Sequence, residues 1–207
     1  MAQFVLVHGA WHGGWCFADL ASELALRGHE ARAPDLPCAD KSQDQRDYAA
    51  LLGDCSDAVV VGHSLGGLTI PLVEAAVHVY LAPLLPVENV YAGAFVDGFG
   101  GFVRDDQDRS YWPDADTAAE RMYPDCTRAQ SDWAYPQLRP QSPIKPTVHP
   151  FEPGDVLIAT TRDAVLDPAW QVRTGHEHGL RVIELDAGHS PFLTQPAELA
   201  DALSSVV

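Results

Sequence analysis

Lysine is nearly absent. Only Lys41 and Lys145 occur in 207 residues, so almost all the basic charge is arginine. Lys and Arg total 13 against 29 Asp and Glu, a formal net charge of -16. Such a chain repels nucleic acid and anionic membranes, which argues against both as partners. Cysteine is sparse and scattered at positions 16, 38, 55 and 126, with no C-x-x-C pair. That speaks against a disulfide framework or a zinc knuckle and for free thiols in a reducing compartment. No run approaches the ~18 consecutive apolar residues of a membrane span, and no basic-then-apolar leader opens the chain. A cytoplasmic protein is therefore expected. No cofactor and no metal are expected either. The nearest thing to a ligand cluster is His176-Glu177-His178, and two histidines at i and i+2 on an expected loop are a weak metal pattern.

The apolar content of 46% and charged content of 20% fit one globular domain spanning residues 1–207. Its most informative stretch is Ala58 to Gly67. Ala58-Val59-Val60-Val61 has the β-branched content of a buried strand. Gly62-His63-Ser64-Leu65-Gly66-Gly67 follows. A strand that reverses sharply into a helix crowds backbone against backbone. Glycine relieves that crowding and leaves the central serine projecting from a strained turn. Ser64 is thus the candidate nucleophile.

The other elements follow in chain order. Phe4 to Val7 reads as a first strand, running into the glycine-rich loop His8-Gly9-Ala10-Trp11-His12-Gly13-Gly14-Trp15. Such a loop can aim backbone N–H groups at a developing anion. Phe17 to Arg27 has helical apolar spacing, with Gly28 as its stop. His29 to Ala33 is a second strand, Cys38 to Arg46 a loop and Tyr48 to Cys55 a short helix. The elbow strand and helix come next, then a strand at Val77 to Ala82. Alternating strands and helices predict an α/β fold: a mostly parallel central sheet with helices on both faces.

From Pro83 to Gly154 the alternation stops. Ten of the 16 prolines and ten of the 18 aromatic residues fall there. The segment is too long and too apolar for a plain connection, and it reads as a cap or lid inserted at 83–154. Within it a short strand is expected at Val90 to Val96. Helices are expected at Thr117 to Met122 and Arg128 to Tyr135, capped by Asp116 and Thr127. Trp112 and Trp133, with Phe192 outside the segment, are candidates to line an apolar substrate pocket. Alternation then resumes with a strand at Asp155 to Thr160 and a helix from Pro168 capped by Asp167. A strand at Leu180 to Leu185 and a helix at Pro196 to Val206 complete it.

Ser64, Asp163 and His189 each follow the C-terminal end of an expected strand, the edge where open α/β sheets bind ligands. The chemistry accounts for each residue type. A serine hydroxyl needs a base to take its proton as it attacks. Histidine, titrating near about 6.5, accepts that proton and returns it to the leaving group. A carboxylate fixes the imidazole tautomer and stabilises the imidazolium. The N–H groups of Leu65 and Ala10 are the candidate oxyanion donors. His8 and His12 read as residues that order the first loop, and His63 as a packed one.

Four motifs together resemble the α/β-hydrolase fold, and within it the subgroup of methyl-ester esterases, hydroxynitrile lyases and small bacterial esterases. They are Val5 to Trp15, Val61 to Gly67, Asp163 to Gln171 and Ala187 to Pro191. Asp125-Cys126 and Leu138 to Gln141 also look familiar for this subgroup, whereas the cap and the loop after Pro34 look shortened. The resemblance implies a serine hydrolase cleaving a small or moderately apolar carboxylic ester through an acyl-enzyme. Lyase chemistry on the same triad and a ligand-binding relative with little turnover are its alternatives. The similar lyases carry threonine after the first-loop histidine and lysine after the catalytic histidine. Gly9 and Ser190 stand there in this chain, which favours hydrolysis.

Asp167 competes with Asp163 as the acid, although it better fits a helix cap. Asp163→Asn is expected to lower ester turnover far more than Asp167→Asn. Side-by-side steady-state kinetics check the ranking, and the reverse order would move the acid.

Overall fold

The computed structural model describes all 207 residues. Six parallel strands form the main sheet: β1 (Gln3–Val7), β2 (Glu30–Arg32), β3 (Ala58–His63), β4 (Val77–Leu81), β7 (Val156–Thr160) and β8 (Arg181–Leu185). Their order is β2-β1-β3-β4-β7-β8. All six residues of β3 are buried, which explains the unbroken apolar run: a central parallel strand is covered on both faces. The edge strands β2 and β8 instead consist of exposed and half-buried residues.

The chain leaves β1 in one direction to make β2 and returns in the other to make β3. Right-handed crossovers then put helix α1 (Ala18–Leu26) on one face and α2 (Gln45–Leu51) on the opposite one. Helices α7 (Pro191–Thr194) and α8 (Pro196–Ser204) pack on α1, and α6 (Pro168–Glu177) follows β7. The reversal between β1 and β3 opens a crevice at their C-terminal ends, the usual ligand position in such sheets. No helix is long and apolar enough to cross a membrane.

Several expectations need correction. The elbow continues as two 3₁₀ turns, Ser64–Leu68 and Ile70–Leu72, not as an α-helix. Gly66 and Gly67 are poor helix formers, Pro71 lacks an N–H, and the chain must reach β4 by Val77. Val90 to Val96 is not a strand. Helix α3 (Val90–Gly93) forms one turn there, burying Val90 and Ala94 at i and i+4, and Phe95 alone bridges to Leu166. Helix α2 starts within the expected loop, because Asp44 and Asp47 build a capping box around its first turn. Asp114, not Asp116, caps α4 (Ala115–Arg121), accepting from the Thr117 N–H at 2.7 Å, while Asp116 pairs with Arg128. His176 and Glu177 end α6 and His178 is its C-cap, so this stretch is not a loop. Thr127 caps α5 (Arg128–Ala134), as expected.

The segment between β4 and β7 contributes no strand to the main sheet. Besides α3, α4 and α5 it holds a small antiparallel hairpin, β5 (Val103–Arg104) and β6 (Ser110–Tyr111). It reaches the first loop through Trp11, whose Nε1 donates to Ser110 O and Oγ at 3.1 Å.

The junction of β3 with β1 leaves no space for a side chain at Gly66. A Cβ there would lie 2.6 Å from Val7 O, a backbone atom that cannot swing away. Gly66→Ala is expected to destabilise the fold by about 2–4 kcal/mol, at the upper end of overpacking costs. Urea unfolding measures it, and a change under about 0.5 kcal/mol would contradict this packing.

Candidate active site

Ser64 sits at φ +51°, in the left-handed region that non-glycine residues rarely adopt. The strain has a structural cause: the turn must leave β3 and reverse at once. Its effect is to hold the Ser64 side chain at the C-terminal crevice. The residue is nevertheless only 7% exposed. The first loop lies directly against it, since a Cβ on Gly9 would be 2.9 Å from Ser64 Cβ.

Asp163 follows β7 and His189 follows β8, and the fold brings them together. His189 Nδ1 and Asp163 Oδ2 are 2.8 Å apart, both side chains having no solvent exposure. Burial alone would push the Asp163 carboxyl up. The attraction of His189 and a full set of donors hold it below the usual carboxylate range instead. Oδ1 accepts from the Val165 and Leu166 N–H groups at 2.8 and 2.9 Å. Oδ2 also accepts from Thr160 Oγ1 at 2.9 Å and Gln171 Nε2 at 3.1 Å. An ionised carboxylate only accepts, so the His189 proton lies on Nδ1 and the Nε2 lone pair is free. Nε2 is buried and has no hydrogen-bond partner, Ser64 Oγ included. Asp167 is an N-cap, accepting from the Ala169 N–H at 2.9 Å, and takes no part.

The oxyanion candidates are arranged by peptide geometry. His8 Nε2 accepts from the Leu36 N–H at 2.9 Å, so the His8 proton lies on Nδ1 and is donated to Gly9 O, also at 2.9 Å. In a trans peptide C=O and N–H point opposite ways. Holding Gly9 O on one side therefore turns the Ala10 N–H to the other, where no protein acceptor takes it. Leu65 lies in the first turn of the 3₁₀ segment, where N–H groups have no intrahelical partner.

A cavity of about 310 Å³ opens at Ser64, Ala10 and Leu65. Its walls are mainly apolar, including Tyr91, Phe95, Phe99, Phe102 and Ile144, with the Phe95 and Phe99 rings stacked at 5.4 Å. None of the three expected pocket residues lines it. Trp112 is buried one layer behind, against Trp11, Phe99 and Phe102. Trp133 is half-exposed on α5 and packs on Trp15 at a separate groove. Phe192 is core, 4.8 Å from the His63 ring and 5.0 Å from Phe17. Residue type alone does not say which way an aromatic ring points. The missed wall residues carried one signal, the spacing Phe95, Phe99, Phe102 in the segment expected to be a cap.

The chain belongs to the alpha/beta hydrolase family, whose pattern it matches over residues 4–202. It is 35% identical over 117 residues to the carbendazim hydrolyzing esterase of Nocardioides sp. (strain SG-4G), a match covering 48% of this chain and 45% of that protein. It is 32% identical over 117 residues to a probable esterase, PIR7A, of Oryza sativa subsp. indica, covering 47% and 44%. The chain thus spans about half the length of these curated relatives. Among solved structures it is similar to polyneuridine aldehyde esterase, with a TM-score of 0.79 and 21% identity over 100% of this chain and 99% of that one. It is also similar to the methylesterase MES16 from Arabidopsis, with a TM-score of 0.76 and 23% identity over 99% and 98%. At these identities the structures establish the fold.

Three buried histidines around the site are held neutral. Burial lowers His8 from 6.5 to about 4 and His12 to about 3, and pushes His63 well down. In the unfolded chain each takes a proton below pH 6.5 that the folded state refuses, so their contribution to stability falls as pH falls. His78, raised by Asp155 and Val73 against the opposing effect of burial, has the opposite sign. The loss of unfolding free energy between about pH 7 and 5 is expected to be about 2 kcal/mol smaller in His12→Gln than in the unsubstituted protein. Urea titrations at the two pH values test this, and equal losses would mean that His12 is not held neutral.

Proposed function

We propose that this protein is a carboxylic ester hydrolase with Ser64 as nucleophile, His189 as general base and acid, and Asp163 as the group that orients His189. The observation that carries the reading is the buried Asp163–His189 pair, its Nε2 unpartnered, together with a strained serine that lines an apolar cavity. Ser64 Oγ attacks the ester carbonyl carbon as its proton passes to His189 Nε2. The oxyanion is held by the N–H groups of Ala10 and Leu65, each such donor contributing about 3 kcal/mol to lowering the barrier. Collapse expels the alcohol, which takes the proton from Nε2 and leaves an acyl-Ser64. Water then attacks, with Nε2 again taking the proton and returning it to Ser64 Oγ as the acid leaves. Asp163 stays ionised and stabilises the imidazolium.

The substrate in this reading is a small or moderately apolar ester, matching a cavity of about 310 Å³ with mainly apolar walls. The 83–154 segment acts as the cap that supplies those walls. Ser190, next to His189, is buried and uncharged, and no cation there would stabilise a departing cyanide, which favours hydrolysis over lyase chemistry. The net charge of -16 disfavours nucleic-acid and membrane partners, and four free cysteines suit the cytoplasm.

A fluorophosphonate probe is expected to add once, on Ser64, and p-nitrophenyl acetate and butyrate to turn over. Ser64→Ala is expected to abolish both while leaving the circular dichroism spectrum unchanged. Intact-protein mass spectrometry and initial rates measure this. Near-normal turnover in Ser64→Ala would overturn the mechanism.

A further inference from the structure

The two loops that carry the reacting groups come from opposite ends of the chain, and one short piece of the inserted segment holds both. Tyr123-Pro124-Asp125 joins α4 to α5. Tyr123 is 1% exposed, and its Oη lies 2.8 Å from His12 Nε2. His12 Nδ1 lies 2.8 Å from Ala10 O, and a carbonyl only accepts, so Nδ1 donates. Nε2 is therefore an acceptor and Tyr123 Oη donates to it. A chain of two hydrogen bonds thus runs from Tyr123 to the carbonyl of the residue whose N–H is the first-loop oxyanion donor.

Two residues further on, Asp125 Oδ2 accepts the Gly188 N–H at 2.9 Å, immediately before His189. The fit is close enough that a Cβ on Gly188 would lie 2.4 Å from the Asp125 carboxylate. His189 O is fixed from the other side by His63 Nε2 at 2.9 Å, so the backbone of the base is gripped at both ends. Pro124 stiffens the link between the two contacts.

We propose that Tyr123 and Asp125 are positioning residues that set the oxyanion loop and the His189 loop in register with Ser64. The proposal rests on the ester-hydrolase reading for its kinetic consequence. Its structural content is that the inserted segment aligns the catalytic groups as well as covering them. Without the Asp125 contact the Gly188 peptide is free to rotate, and the His189 ring that follows it is held less firmly. Without the Tyr123 hydroxyl, His12 loses the donor to its Nε2, and the Ala10–Trp11 peptide, next to the one that carries the Ala10 N–H, is held less tightly. Misplacement on the order of 1 Å at a reacting group costs up to about a hundredfold in rate.

The test measures kcat per active site, titrated with the fluorophosphonate probe, together with KM and the low-field ¹H resonance of the His189 ring N–H. Asp125→Ala and Tyr123→Phe are each expected to lower kcat per titrated site by about tenfold or more, with KM changed less than about twofold. Asp125→Asn keeps an acceptor for the Gly188 N–H and is expected to stay within about threefold of the unsubstituted protein. The ring N–H resonance is expected to broaden or shift in Asp125→Ala and to persist in Asp125→Asn. A merely structural role would lower the titratable fraction and the melting temperature but leave kcat per site unchanged. Unchanged kcat per site in both Asp125→Ala and Tyr123→Phe, with an unmoved resonance, would overturn the proposal. If Asp125→Ala does not fold, Tyr123→Phe decides by its kcat per site. If the unsubstituted protein turns over no ester yet the resonance responds as expected, the ester reading fails and the positioning role stands.

Discussion

Asp163 holds its carboxylate with no exposure to solvent, and a charge in that position is tolerable only when donors surround it. The chain supplies them from four places: the strand that precedes it (Thr160), its own turn (Val165, Leu166), helix α6 (Gln171) and the loop after β8 (His189). Each donor ties another element to the C-terminal edge of the sheet. The same bonds that satisfy the charge orient His189, so the stability of the site and its geometry have one origin. Gln171 joins helix α6 to this arrangement, which gives the helix a role beyond covering β7 and β8.

The first loop follows a different logic. Its histidines are buried and neutral, and each ring acts as a fixed bridge between a donor and an acceptor. His8 connects Leu36 to Gly9, and His12 connects Tyr123 to Ala10. Imidazole suits this task because its two nitrogens take opposite roles when neutral. A charged ring would have to donate from both nitrogens and would break one bond of each bridge. Neutrality therefore belongs to the geometry of the first loop, and the low proton affinity of these rings is its thermodynamic consequence.

Local pattern was enough where a short motif meets a strand end. The placement of Ser64, Asp163 and His189 after strand ends was legible because each sits in a short motif, and the strands themselves carry plain apolar runs. The cap of α5 at Thr127 and that of α6 at Asp167 were legible for the same reason. The elbow helix was not. Its glycines, its proline and the short path to β4 leave only 3₁₀ turns. The aromatic lining was not legible either. Trp112, Trp133 and Phe192 have the expected chemistry, but one lies behind the cavity, one half-exposed beside another groove and one in the core. The cavity is walled instead by Tyr91, Phe95, Phe99 and Phe102, whose orientation depends on how an irregular, proline-rich segment packs.

By itself the sequence determined the sheet, the identity of the candidate reacting groups and their order along the chain, because these follow from spacing within about ten residues and from strand ends that share one edge. Tertiary structure alone decided which aromatics face Ser64, which donors surround Asp163, and that Tyr123 and Asp125 reach the two loops. Those contacts join residues up to 111 positions apart, as for Tyr123 and His12, and no local spacing encodes a distance of that kind. They exist only once the crossovers have closed and side chains from separate elements compete for the same buried space.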